Sequence, residues 1–263
     1  ILVESLTGID RARRSRGSLE WRSDAPIGIF DGLRLNLYVQ DSVTTQDTRE
    51  DRTTIAPSGM RTPLTRERRF RFEQDLDGAE FVGRHQFQTG ELTHRLVWGA
   101  ERLSTDTAQI RDGLQRNRNT GVVTSVVVPD VFLVRDFPLS TTTESALFVE
   151  NEITLADTGL VLVPGLRWDR YELDPRLDPI YAADNPGIVP VAIDADELSP
   201  RLGLAWQFTP GWSVHANHAE GFRAPPCNDA NVGFTNLQFG YTAIPNAELR
   251  SETSRGLEVG LRW

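Results

Sequence analysis

The run Leu160-Val161-Leu162-Val163-Pro164-Gly165-Leu166-Arg167-Trp168-Asp169-Arg170 decides the fold class. Successive side chains of an extended chain point to opposite sides. Leu160, Leu162, Pro164, Leu166 and Trp168 therefore share one face, opposite Val161, Val163, Gly165, Arg167 and Asp169. The same split recurs in Arg201–Phe208, where Leu202, Leu204, Trp206 and Phe208 oppose Arg201, Gly203, Ala205 and Gln207. It recurs again in Leu257–Trp263, in Leu33–Gln40 and around Leu147–Leu155. About ten such segments follow one another, several near the ~9–11 residues that a tilted strand needs to cross a bilayer. The second face carries Arg, Asp, Glu, Gln and Gly, which suits a wet lumen better than a dry second sheet.

The connections point the same way. Asp157-Thr158-Gly159 and Pro210-Gly211 read as tight turns. Thr105–Leu139, Asp174–Leu198 and Ala224–Arg250 read as long polar loops. Short turns on one rim and long loops on the other is the asymmetry of outer-membrane barrels, with the long loops outside the cell. Trp21, Trp168, Trp212 and Trp263 stand at strand ends, where aromatic girdles meet the membrane interfaces. A soluble all-β sandwich or propeller also alternates. Loops of about 25 to 35 residues are uncommon in such compact domains.

Composition narrows the classes further. Of 263 residues, 39 % are hydrophobic and 25 % charged, and no run of ~18 uncharged apolar residues offers a transmembrane helix. Spanning strands show lipid only alternate side chains, so polar average hydropathy does not argue against a barrel. A net charge of −9 disfavours nucleic acid as partner. The lone Cys227 cannot form an internal disulfide, and no C-x-x-C metal pattern occurs. The chain opens at Ile1 without a signal peptide, and we expect residues 1–263 to be part of a longer barrel chain.

Towards the C-terminus the residues become more specific. His218-Ala219-Glu220-Gly221-Phe222-Arg223-Ala224-Pro225 resembles the EGFRAP box of TonB-dependent outer-membrane receptors, especially the haem, haemoglobin and transferrin-type branch. Ile244-Pro245-Asn246-Ala247-Glu248-Leu249-Arg250-Ser251-Glu252-Thr253-Ser254 resembles that family's next box, and Leu257–Arg262 its following strand. Leu162–Asp169 and Ser199–Leu204 are similar to two upstream family strands. The matches run in order over Ser140–Trp263, whereas residues 1–139 match in strand pattern only.

The resemblance implies an antiparallel transmembrane β-barrel of about 22 strands in the whole protein, of which this chain supplies about ten. It also implies a plug domain, which is not recognisable in this chain, and a location in the Gram-negative outer membrane. The implied activity is uptake of haem, of haem from a haem protein, or of a ferric siderophore, driven through the TonB–ExbB–ExbD complex. Other nutrients, or a passive or adhesive barrel, are the alternatives. No intrinsic cofactor and no catalysis are expected. Ser213 and His215 share a strand face, but no Asp stands beside them and no G-x-S-x-G occurs.

The motif residues are Phe222, Arg223, Ala224, Pro225, Asn246 and Leu249. Arg223, Tyr241, Asn246 and Glu248 are the candidates for ligand binding or loop anchoring. Arg223 falls on the face of Gly221, Asn217 and His215, where a cation meets either a carboxylate or an anionic ligand. The chain departs from the haem branch in having no histidine after His218. Haem iron also accepts tyrosinate or thiolate, which leaves Tyr241 and Cys227 as substitutes. His215 and His218 fall on opposite faces and cannot share one metal from a regular strand. His85 and His94 read as structural.

Overall fold

The computed structural model describes residues 1–236 and 240–263. Nine long strands dominate: β1 Leu2–Ser23, β2 Gly32–Ile55, β3 Arg61–Thr89, β4 Leu92–Asn117, β5 Leu139–Leu155, β6 Leu160–Arg176, β7 Ile193–Thr209, β8 Trp212–Arg223 and β9 Glu252–Arg262. Each pairs antiparallel with its successor, and Val123–Thr124 adds a short tenth strand on β4. Among the described residues the sheet has two edges, at β1 and β9. Two short helices, α1 Pro179–Asp184 and α2 Cys227–Asn231, sit in loops. Among the described residues no helix is long and apolar enough to cross a membrane.

Register gives each face its character. Trp21, Leu35, Phe81, Ala100, Leu147, Trp168 and Leu198 are successive cross-strand partners from β1 to β7, all on the outer face. The row one residue along is Glu20, Asn36, Glu80, Glu101, Ala146, Asp169 and Glu197, on the inner face. A one-residue slip of any strand would exchange carboxylates for apolar side chains, so the register is strongly specified. Several large inner and outer side chains lie over a directly paired glycine, such as Tyr38 over Gly78 and Phe148 over Gly99. A Cβ at either glycine would strike the ring.

The outer apolar belt is finite. On β6 it runs from Leu160 to Trp168 and then yields to Arg170 and Glu172; on β2 it runs from Leu33 to Val39 and yields to Asp41. Eight steps of strand rise is about 26 Å along the strand, or about 20 Å of height once a tilt of about 40° is included, somewhat under the ~25 Å apolar band of an outer-membrane barrel. Above the belt β1–β4 continue with charge on the outer face as well. Asp47 pairs with Arg11 at 2.8 Å and Arg69 at 2.6 Å across three strands, and Arg49 pairs with Glu67 at 2.9 Å.

This extension corrects two loop boundaries expected from sequence. Thr105–Asn117 belongs to β4, so the first long loop is only 118–138. Asp174–Arg176 and Ile193–Leu198 belong to β6 and β7, so the second is 177–192. Where both faces meet water, apolar–polar alternation disappears and a strand reads as a polar loop. The third loop, 224–251, stands as expected. The turn at 156–159 holds Asp157 and Gly159 at φ 58° and 68°, the left-handed region that such turns require.

Candidate functional site

Inside the curved sheet lies a cavity of about 1180 Å³. Tyr38, Phe70, Phe72, Phe137, Tyr171 and Phe222 bring rings to it, with Glu101, Glu144, Asp169 and Arg167 between them. Arg167 bridges Glu101 at 2.9 Å and Asp169 at 2.8 Å, and its guanidinium lies 5.9 Å from the Phe148 ring centre. Arg34 pairs with Glu80 at 2.5 Å, and Arg201 with Glu150. The inner face is thus charged, and several of its carboxylates meet an arginine. The rings supply the apolar contact surface that a ligand would use.

Of the motif residues, Phe222, Arg223 and Ala224 line this cavity, whereas Pro225, Asn246 and Leu249 do not. β8 leaves β7 after the Arg201–Ala219 pair. Phe222 and Ala224 then pack on Tyr171, Leu173 and Ala230, with Ile193 alongside. Arg223, on the opposite face from Phe222, stands across from Glu252 of β9 with a 3.7 Å ion pair, and both side chains are about 70 % exposed or more. Pro225 is buried where the strand becomes a loop and ladder bonding stops.

Asn246 forms the return of the third loop. Its N–H donates to the Ala230 carbonyl at 3.0 Å, its Oδ1 accepts from the Glu248 N–H at 2.9 Å, and its carbonyl accepts from the Leu249 N–H at 3.4 Å. Glu248 itself is exposed. The side chains of Tyr241 and Cys227 lie outside the described residues. His215 and His218 occupy opposite faces; His215 lies over Gly260, and His218 faces Glu220 at 3.6 Å. His94 has structural partners in Thr89 at 2.7 Å and Asn151 at 3.0 Å, and it stacks on Phe87. Among the described residues no group of three or more His, Cys, Asp or Glu could hold a metal ion.

Sequence reasoning missed the polar core of the loops. Asp178 caps α1 by accepting from the Ile180 and Tyr181 N–H groups, and its carboxylate also faces Arg135 at 3.0 Å. Asp136 takes Arg111 at 2.9 Å and the Gln109 amide at 2.9 Å. Asn231, fully buried, exchanges two hydrogen bonds with the Val191 backbone at 2.6 and 2.8 Å. The residues concerned are spread over more than 100 positions and carry no local pattern, so only the fold assembles them. The one local signal was Asp178-Pro179, an N-cap followed by proline at the first helical position.

A ten-stranded antiparallel sheet with an apolar belt outside, ion pairs inside, short turns at one rim and interlocked loops at the other is a segment of an outer-membrane transmembrane β-barrel. The model of the TonB dependent receptor-like β-barrel family matches residues 5–263, and the chain belongs to that family. No curated protein matches the chain by sequence. Among solved structures it is similar to BauA, the ferric preacinetobactin receptor of Acinetobacter baumannii, with 18 % identity and a TM-score of 0.56 over 97 % of this chain and 35 % of that one. It is similar to the Serratia marcescens hemophore receptor HasR, solved with its hemophore HasA and heme, with 17 % identity and TM-score 0.57 over 96 % and 42 %. The copper transporter OprC gives 14 % identity and TM-score 0.62 over 99 % and 38 %. Such identities show the fold alone. The chain spans 35–42 % of these neighbours' length, and their cargoes differ.

Proposed function

We propose that this chain is the loop-bearing part of an energy-coupled outer-membrane importer, and that haem or an iron chelate is its cargo. The observation that carries this reading is the ring-lined cavity under the long loops, bounded by Phe72, Phe137, Tyr171 and Phe222. Aromatic faces suit a flat or aromatic organic cargo better than a bare ion. Binding there makes and breaks no covalent bond. The work of release belongs to a plug outside this chain, moved by TonB–ExbB–ExbD.

Between the two cargoes, one sequence feature favours the chelate: no histidine follows His218. A siderophore brings its own iron ligands and needs only a surface for its organic shell. The EGFRAP-like box Glu220–Pro225 favours haem.

Growth of iron-starved cells dependent on the whole receptor tests both readings. Growth on haemin supports the haem form, and growth only on a ferric siderophore supports the chelate. Uptake that survives collapse of the proton-motive force would overturn energy coupling and leave a passive barrel. Phe137→Ala, which removes one ring from the cavity, is expected to weaken cargo binding about tenfold, the equivalent of ~1.4 kcal/mol.

A further inference from the structure

We infer that the first loop, the second loop and the 224–233 arm of the third form one gate over the cavity, and that the adjacent Arg135 and Asp136 join them into one body, Arg135 holding the second loop and Asp136 the third. Arg135 is 8 % exposed. Its Nη1 donates to the Gln109 carbonyl of β4 at 2.8 Å, and its Nε faces Asp178 of the second loop at 3.0 Å. Its own N–H donates to the Asp184 carboxylate at 2.6 Å, and its carbonyl accepts from Asn185 at 3.4 Å. One residue of the first loop thus meets the second at three points.

The neighbouring residues complete the connection. The Asp136 carbonyl accepts from the Gly233 N–H at 2.6 Å, which brings in the third loop's arm. Asn231 on that arm is bonded twice to Val191, and the Tyr181 hydroxyl, fully buried, donates to the Asn231 carbonyl at 3.4 Å. Phe137 follows directly and reaches the cavity, where its ring meets Phe72 edge-on at 6.2 Å. Ala224 and Pro226, at the base of the third loop, line the same cavity.

A backbone displacement that carries Phe137 away from Phe72 also moves Arg135 and Asp136, and those two hold the other segments. Separating the segments one by one would strand buried polar groups without partners, and each such group is costly. Movement as a unit keeps those bonds. The gating meaning rests on the uptake reading above; the joint motion does not.

Two measurements on the whole receptor in detergent test this, each independent of cargo. In Arg135→Gln, amide exchange should rise at least about tenfold in 118–138, 177–192 and 224–233 together, with 160–168 unchanged. In a Cys227→Ser background, Thr142→Cys on the cavity wall should react with a bulky maleimide at least about tenfold faster once Arg135→Gln is added. Faster exchange confined to 118–138 would overturn the single body. Opened loops with an unchanged labelling rate would overturn the gate. If Arg135→Gln fails to fold, shown by loss of heat-modifiable gel migration, Asn231→Leu is judged by the same two criteria. Failure of the cargo reading would appear instead as absent growth on haemin and siderophore with both results intact.

Discussion

Arg223 and Asn231 both tie the third loop to its surroundings, and their exposures rank them. The Arg223–Glu252 pair is 3.7 Å long and open to water on both sides, so its expected worth is ~0–1 kcal/mol. Asn231 is fully buried, and two hydrogen bonds to Val191 satisfy its amide. Truncation there removes the partners of a half-buried N–H and carbonyl on Val191, at about 1 kcal/mol for each bond lost. Asn231→Ala should therefore speed amide exchange in 188–192 and chymotryptic cutting in 224–251, whereas Arg223→Ala should change either little. We favour Arg223 as a weak anchor over a ligand contact. Lost cargo affinity in Arg223→Ala with an unaltered cutting pattern would reverse that preference. The motif drew attention to Arg223 because it is local in sequence; Asn231 acts through a residue 40 positions away.

At the scale of the strand, the decisive quantity is which face a side chain takes. Val259 on β9 is outward and paired with Ala216, while Glu258 is inward and paired with Asn217. Val259→Arg places a charge in the belt and should lower unfolding free energy by ~2–4 kcal/mol in lipid, with Glu258→Arg costing much less. Equal losses in a urea titration of the reconstituted receptor would contradict a lipid-facing belt. This alternation is also why the belt was readable in advance. Leu160–Trp168, Leu202–Phe208 and Leu257–Trp263 show it in sequence, and each appears as half of a hairpin or sheet pair. The wet parts of the same strands were not readable, because Thr105–Asn117 alternates between two polar faces. Nor was the cap, whose contacts such as Arg135–Asp178 and Asp136–Gly233 join distant segments.

Along its long axis the molecule passes from an apolar belt to a charged extension and then to the polar cap, and the cap is where pH should act. Burial holds the Asp136 carboxyl above its usual range, outweighing the nearby Arg111 guanidinium, and the Asp130 carboxylate adds to the rise. Burial raises Asp184 as well, partly offset by the Arg135 N–H, with Asp136 and Asp130 contributing. Asp178 and Arg135 complete the charged groups packed around the pair. An acid whose pKa is raised by folding binds its proton more tightly in the folded cap than in an open one. Its contribution to cap stability is therefore present in full below the ordinary carboxylate value and is lost as pH rises through the folded value. Amide exchange in 118–138 and 177–192, corrected for the intrinsic pH dependence of exchange, should show stronger protection as pH falls from neutral towards the ordinary carboxylate range. Asp136→Asn fixes a neutral side chain at the centre of the pair and should reduce that response to the part that Asp184 carries, whereas Asp130→Asn should only shift it to lower pH. Protection that weakens on acidification in the parent chain would mean that the charged form, held by Arg111 and Arg135, governs the cap instead.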